Sequence, residues 1–361
     1  VIKEITTYEN STYQLLNKRK HINTLFSLNF KLRLRPAIFI LFSVITFISF
    51  SQQNLVLNGD MEDFSTCPNG YSDPTQNPKE IEKCIGWKAP TYGTSDFFNI
   101  CATGTNVDVP NNTLGQQDPF NGEGYLGAYF CGYRGGSGID GYQGIMWWEY
   151  VQGKTIIPLE QGKIYKLSME VSLAEYSDLM INQFGAYFSD FPITSPNSKS
   201  LNVVPQCVFN YSGFFKDTLN WMHVESFFLA YGGEKFLTIG NFKDSSSTDT
   251  LRRYFFDPFY LSPFLSYFYI DHVVLTEADV DISNVFTPNN DGINDQWVLP
   301  FSGNETNKVS ILNRWGNVIY EAELIGFQWD GKTIDGKEVS DGSYFYKISN
   351  TNIAGFIELI R

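Results

Sequence analysis

Across this chain no stretch of about 12 residues carries a helical repeat. Lys166-Leu167-Ser168-Met169-Glu170-Val171-Ser172-Leu173, by contrast, alternates strictly. Leu167, Met169, Val171 and Leu173 fall on one side of an extended chain, the period-two pattern of a half-buried strand. Gln183 to Ser189, Trp221 to Ala230, Lys235 to Phe242 and Ser266 to Glu277 read the same way. Aromatic residues make up 16% of the chain, which suits pleated surfaces better than helices. The expected fold class is all-β.

Residues 281–361 continue the pattern with shorter periods. Asn290-Asp291-Gly292, Trp315-Gly316-Asn317 and Asp341-Gly342 are turn signals, because Asn and Gly tolerate positive φ. Between and after them lie Val309 to Leu312, Val318 to Tyr320, Tyr344 to Ile348 and Phe356 to Ile360, all rich in β-branched and aromatic residues. Such spacing predicts a small antiparallel sandwich. Asn289, Asp291, Asn294 and Asp295 have part of the spacing of a calcium loop but lack its distal Glu, so turn chemistry is the preferred reading.

The N-terminus reads as an export leader. Arg33 and Arg35 precede a 14-residue, mostly apolar run from Ala37 to Phe50, and Ser49-Phe50-Ser51 offers small residues for cleavage before Gln52. A membrane span needs about 20 apolar residues, so a cleaved signal at 36–52 is expected rather than an anchor. Residues 1–35 hold no Met, the first being Met61, and are expected to be a gene-model or non-native extension. The net charge is −13, and without the basic first 52 residues it becomes −18. An acidic chain with no basic patch is repelled by nucleic acid.

Five cysteines follow the leader, four of them between Cys67 and Cys131. In an oxidising compartment they predict disulfides. The expected pairs are Cys67–Cys84 and Cys101–Cys131, with Cys207 free and buried. A zinc site is disfavoured, because no two cysteines have ligand spacing and only His223 and His272 remain. The stretch from Ser65 to Gly144 is rich in Gly, Pro and Asn and reads as loops lying over a sandwich.

The 281–361 motifs, from Asn290-Asp291-Gly292-Ile293-Asn294-Asp295 through Asn313-Arg314-Trp315-Gly316 to Asp341-Gly342, resemble the gliding motility-associated C-terminal domain. That resemblance implies an immunoglobulin-like module read by the type IX secretion machinery at the outer membrane. It also implies delivery to the cell surface or the medium. Asn58-Gly59-Asp60-Met61-Glu62, Leu159 to Ser168 and Tyr269-Ile270-Asp271-His272-Val273 resemble galactose-binding-like, jelly-roll carbohydrate-binding modules. This implies a jelly-roll sandwich over 53–280 with its first and last strands side by side. It also implies a structural Ca2+ held by Glu62 and Asp271. His272 stands where those modules carry a second Asp, and the alternative is that both acids are ordinary strand-end groups.

Trp147-Trp148-Glu149-Tyr150, with Tyr125, Tyr129 and Tyr133 nearby in sequence, is the densest aromatic cluster. Sugar C–H faces stack on such rings and carboxylates bond sugar hydroxyls, so these four residues form a candidate glycan platform. The alternative is packing, and alternation lets at most one of the two Trp face a given groove. No nucleophile–base–orienter motif is legible. Ser137 lacks the context of a nucleophile elbow, and nothing singles out a carboxylate pair. The expectation is a non-enzymatic exported protein that binds glycan or another surface ligand. The rivals are a structural or adhesin surface component and a hydrolase.

Overall fold

A computed structural model describes residues 52–134, 145–253 and 265–361. The expected extension at 1–35, the leader up to Ser51, Ser137 and the Tyr133 side chain lie outside the described residues. Helix among the described residues is limited to one 3-10 turn, Glu80–Lys83.

The first strands are β1 (Asp96–Asn99), the small hairpin of β2 (Asn111–Asn112) and β3 (Gly115–Gln116), and the long β4 (Gly124–Arg134). Next come β5 (Ile145–Trp147), β6 (Tyr150–Lys154), β7 (Ile164–Leu173), β8 (Leu179–Ile181) and β9 (Gln183–Ser189). β10 (Cys207–Asn210), β11 (Met222–Leu229), β12 (Phe236–Gly240), β13 (Thr250–Arg252) and β14 (Leu265–Glu277) follow. The larger sheet runs β1-β4-β14-β7-β11, with β5 added on β4, and the facing sheet runs β10-β9-β12-β6. All pairs in both sheets are antiparallel.

The core between the sheets holds Leu167, Met169, Val171 and Leu173 of β7, packed with Phe130, Phe184, Phe188 and Phe268. This is the face predicted by the alternation, and the all-β jelly-roll class is what the chain adopts. Asn54 and Leu55 bond β14 through Val273 and Leu275, so the start and the end of this sandwich lie side by side.

Two expectations are corrected here. Much of 65–123 is loop, and residues 100–114 pack on the outer face of the larger sheet, but Ile81, Cys84 and Trp87 reach the main core. β1 is an edge strand of the larger sheet and β4 is one of its inner strands. Its glycines hid the alternation. Gly127 has no side chain because the Tyr267 ring occupies that space, and a Cβ would sit 2.4 Å from the Tyr267 oxygen. The disulfide is Cys67–Cys101, with Cα atoms 5.8 Å apart, rather than Cys67–Cys84 and Cys101–Cys131. Cys84 and Cys131 point into the main core and are free thiols, as is Cys207. Cys67 and Cys101 meet in the loops outside it. Burial pushes all three thiols up.

The C-terminal strands are β15 (Val285–Phe286), β16 (Trp297–Val298), β17 (Lys308–Leu312), β18 (Val318–Glu323), β19 (Gln328–Trp329), β20 (Gly342–Ile348) and β21 (Ala354–Leu359). They form a five-stranded sheet β15-β21-β20-β17-β18 and a two-stranded β16-β19. Trp297, Trp329, Phe286, Ile311, Tyr346 and Ile357 fill the space between them. One pair departs from the antiparallel expectation, since β15 runs parallel to β21. A parallel pair needs a long connection, and the rest of the module supplies it.

Candidate functional site

All four proposed platform residues are buried, Trp147 at 8% exposure included. Trp148 and Tyr150 belong to the main core, and Glu149 is fully buried. Residues 148–149 link β5, on the larger sheet, to β6, on the facing sheet, so these side chains end up between or beneath the layers. Glu149 Oε1 accepts bonds from Thr94 N (2.6 Å), Thr94 Oγ1 (2.6 Å) and Trp147 Nε1 (2.8 Å), and Oε2 accepts from Tyr129 N (3.0 Å). It anchors the Thr94 loop and β4 rather than offering itself to a ligand. Tyr150 Oη donates to Asn241 O at 2.6 Å and accepts from Leu201 N at 3.0 Å. The exposed platform of Trp147, Trp148, Glu149 and Tyr150 therefore does not form.

Trp147 alone of the four reaches a cavity. It lines a space of about 350 Å3 with Tyr71, Ser72, Asp73, Thr94, Asp96 and Tyr129. Asp96 leaves β1 on the outer face of the larger sheet. Its Oδ1 accepts from Ser72 N at 2.7 Å and its Oδ2 from the Tyr267 hydroxyl at 2.9 Å. Burial, reinforced by the nearby Glu149 charge, raises its pKa well above the ordinary Asp value. Asp73 has the opposite bias, because the Thr75 hydroxyl and N–H stabilise its charge. The Lys79 ammonium bonds the Thr91 and Gly93 carbonyls, and burial lowers its pKa against the pull of Glu149. Aromatic faces beside carboxyl and hydroxyl oxygens form a site suited to a polyhydroxylated ligand.

Sequence reasoning missed Asp96 and Tyr71 and took Tyr129 as a mere neighbour. The usable signal was the i, i+2 register of Asp96 with Phe98 and of Tyr267 with Tyr269. It places Phe98, Tyr267 and Tyr269 with Tyr125 in one outer-face cluster.

Glu62 and Asp271 are both tied to the segment Phe120–Gly124. Asp271 Oδ2 accepts from Phe120 N (2.8 Å) and Asn121 N (3.3 Å), and Oδ1 accepts from His272 N (2.6 Å). Glu62 Oε1 accepts from Glu123 N (2.8 Å) and Gly124 N (3.1 Å). A bulge follows Asp271, with His272 at φ 49°. Burial raises Asp271 to about 7, and the Glu62 charge adds to the shift. Both carboxylates are hard oxygen donors of the kind calcium takes, and they approach the same segment. Among the described residues no third acid, His or Cys joins them.

The sorting-motif residues divide in two. Arg314, Trp315, Asp341 and Gly342 border one groove of about 280 Å3, together with Tyr344. Trp315 is 80% exposed. Gly316, at φ 79°, closes the turn in which Asn313 Oδ1 accepts from Trp315 N and Asn317 N. Arg361 pairs with Asp341 at 3.0 Å. Asn290, Asp291, Gly292, Asn294 and Asp295 form a separate loop held by its own turn bonds. Asp295 accepts from Asn290 N (2.7 Å) and Gly292 N (2.9 Å), and Asp291 from Ile293 N (2.8 Å). These carboxylates are doing turn chemistry, as preferred above.

Comparison with known proteins supports the C-terminal reading. Residues 280–357 match the CHU_C type IX secretion signal domain. The chain thus carries the export address expected at 281–361, and its destination is the cell surface or extracellular space. No curated protein matches the chain. Among solved structures, a xylan-binding CBM22-1 domain of Paenibacillus barcinonensis Xyn10C aligns at 10% identity and TM-score 0.31, covering 64% of this chain and 99% of that one. A cleaved adhesin domain of Lys-gingipain from Porphyromonas gingivalis aligns at 16% identity and TM-score 0.25, covering 54% and 92%. At such scores these likenesses carry no argument about ligands.

Proposed function

We propose that this chain is an exported, non-catalytic surface protein. Its large sandwich binds a glycan in the cavity beside Trp147, Tyr129 and Tyr71. A leader at 36–52 serves the first crossing, and the type IX machinery reads the C-terminal module for the second. The observation behind the glycan reading is the lining of that cavity, three aromatic side chains interleaved with Thr94, Asp73 and Asp96. A glycan array with the chain from Gln52 to Arg361 tests this. Binding should fall at least about tenfold in Trp147→Ala, as expected for loss of a stacked ring worth over 1.4 kcal/mol. A blank array from folded protein would replace the glycan reading with the structural or adhesin role. The interior placement of Trp148, Glu149 and Tyr150 favours that second reading.

Calcium held by Glu62 and Asp271 is part of the same proposal. Bound there, it would supply the charge that keeps Asp271 ionised and ties the Phe120–Gly124 segment to β14. Calcium should raise the melting temperature of the intact chain and chelator should reverse the gain. Glu62→Ala should abolish the response, and an intact chain indifferent to calcium would remove the site.

A further inference from the structure

β11 is the last strand of the larger sheet, with β7 on one side only. Its other side is not bare. Leu229 N donates to Ser302 O at 2.8 Å, and Ser302 N donates to Phe227 O at 3.0 Å, as a parallel bridge from the C-terminal module. The side chains follow the same division. Phe228 points into the main core, while Leu229 is a fully buried member of the C-terminal core, with Phe227 and Ile164 packed against it. One strand therefore serves two cores. The junction is tied down as well. Ala278 N donates to Ile164 O at 2.9 Å, Val280 and Ile282 pack on the C-terminal core, and Asn284 O accepts from Glu358 N at 2.7 Å.

We propose that the C-terminal module stays on the mature protein after export, as the permanent cap of the β11 edge, rather than being cut away once it has served as an address. Release would uncover Leu229, Phe227 and Ile164 together with unpaired backbone groups of an edge strand, which is an aggregation hazard. Residues 278–284 have no regular secondary structure, and Asp279, Asp281, Ser283 and Asn284 are exposed. What stands against cleavage is the backbone tether at Ala278 and Asn284 and the packing of Val280 and Ile282. The inference does not depend on the glycan reading.

The intact mass of the protein recovered from the surface of the cells that make it should extend to Arg361. A mature chain ending between Ala278 and Asn284 would overturn the proposal. Limited proteolysis of the purified chain from Gln52 to Arg361 isolates the physical cause. The junction should survive in the wild type and be cut at least tenfold faster in Leu229→Asp, with equal rates counting against the cap. Should Leu229→Asp fail to fold, Ser302→Pro removes one donor of the bridge and leaves the large sandwich unaltered. Wild-type calorimetry gives an independent reading. A single cooperative transition is expected, and two well-separated transitions would contradict a shared core.

Discussion

The large sandwich buries five carboxylates, Asp96, Glu149, Glu170, Glu234 and Asp271, whereas the buried polar side chains described in the C-terminal module are Asn307 and Ser310. Most of these carboxylates fasten a distant loop to the sheets. Glu149 holds the Thr94 loop, Asp96 holds Ser72, and Asp271 holds the Phe120 segment. Glu234 instead accepts from Tyr231 N and Gly232 N in its own turn, and Glu170 meets His223 Nδ1 at 2.7 Å on the outer face. Long loops over a sheet face need such anchors, because a buried backbone N–H must find an acceptor. The C-terminal module uses short turns that satisfy themselves, so its interior is free to be almost wholly apolar. The first arrangement shapes a cavity. The second presents a small, rigid surface with Trp315 outermost.

The widest separation between the two regions is expected in export. Deleting 281–361 should abolish surface delivery, measured by labelling intact cells. Undiminished delivery would break the assignment of the address to this module.

Stability should separate them next. Glu149→Ala leaves four donors without their acceptor and should cost about 3–5 kcal/mol by urea unfolding. Asn307→Ala in the small module should cost about 1 kcal/mol. Equal costs would show that the loop anchors carry no special weight.

A pH titration sharpens the same contrast. Burial raises the carboxyls of Asp96, Glu234 and Asp271, the last to about 7. An acid whose folded pKa exceeds its unfolded value keeps its proton longer in the folded state. Stability without calcium should therefore fall as pH rises above about 4, with the Asp271 part levelling off near 7, at up to roughly 1.4 kcal/mol per unit for each such group. The lowered groups Asp73 and Asp244 act in the opposite sense, below about pH 4. Thermal melts at pH 5 and 7.5 should show the difference, and Asp271→Asn should shrink it. A wild type more stable at pH 7.5 would refute the buried-acid account.

The smallest effect on folding belongs to Trp315→Ala. An 80% exposed ring should change stability by less than about 0.5 kcal/mol, while slowing export in a surface-delivery assay. A large destabilisation would mean that this Trp is structural.

Alternation and turn chemistry determined much of this protein without a structure. The inner face of β7, the approximate spans of β9, β11 and β14 and the turns around Asn290 and Gly316 were legible, because strand periodicity and positive-φ tolerance are local properties. The motif order at 281–361 was equally legible, and with it the address. β4 was not, because Gly124 makes room for Asn99 and Phe97 of β1, and Gly127 for the Tyr267 ring of β14, distant in sequence. Nor was the Cys67–Cys101 pair, which depends on loops meeting outside the core. The burial of Trp148, Glu149 and Tyr150 was decided where the chain passes from one sheet to the other. The cavity of Trp147, Tyr129 and Asp96, and the sharing of β11 between two cores, also belong to tertiary structure alone. Each requires knowing which strands become neighbours, and that depends on long-range packing rather than on any local pattern.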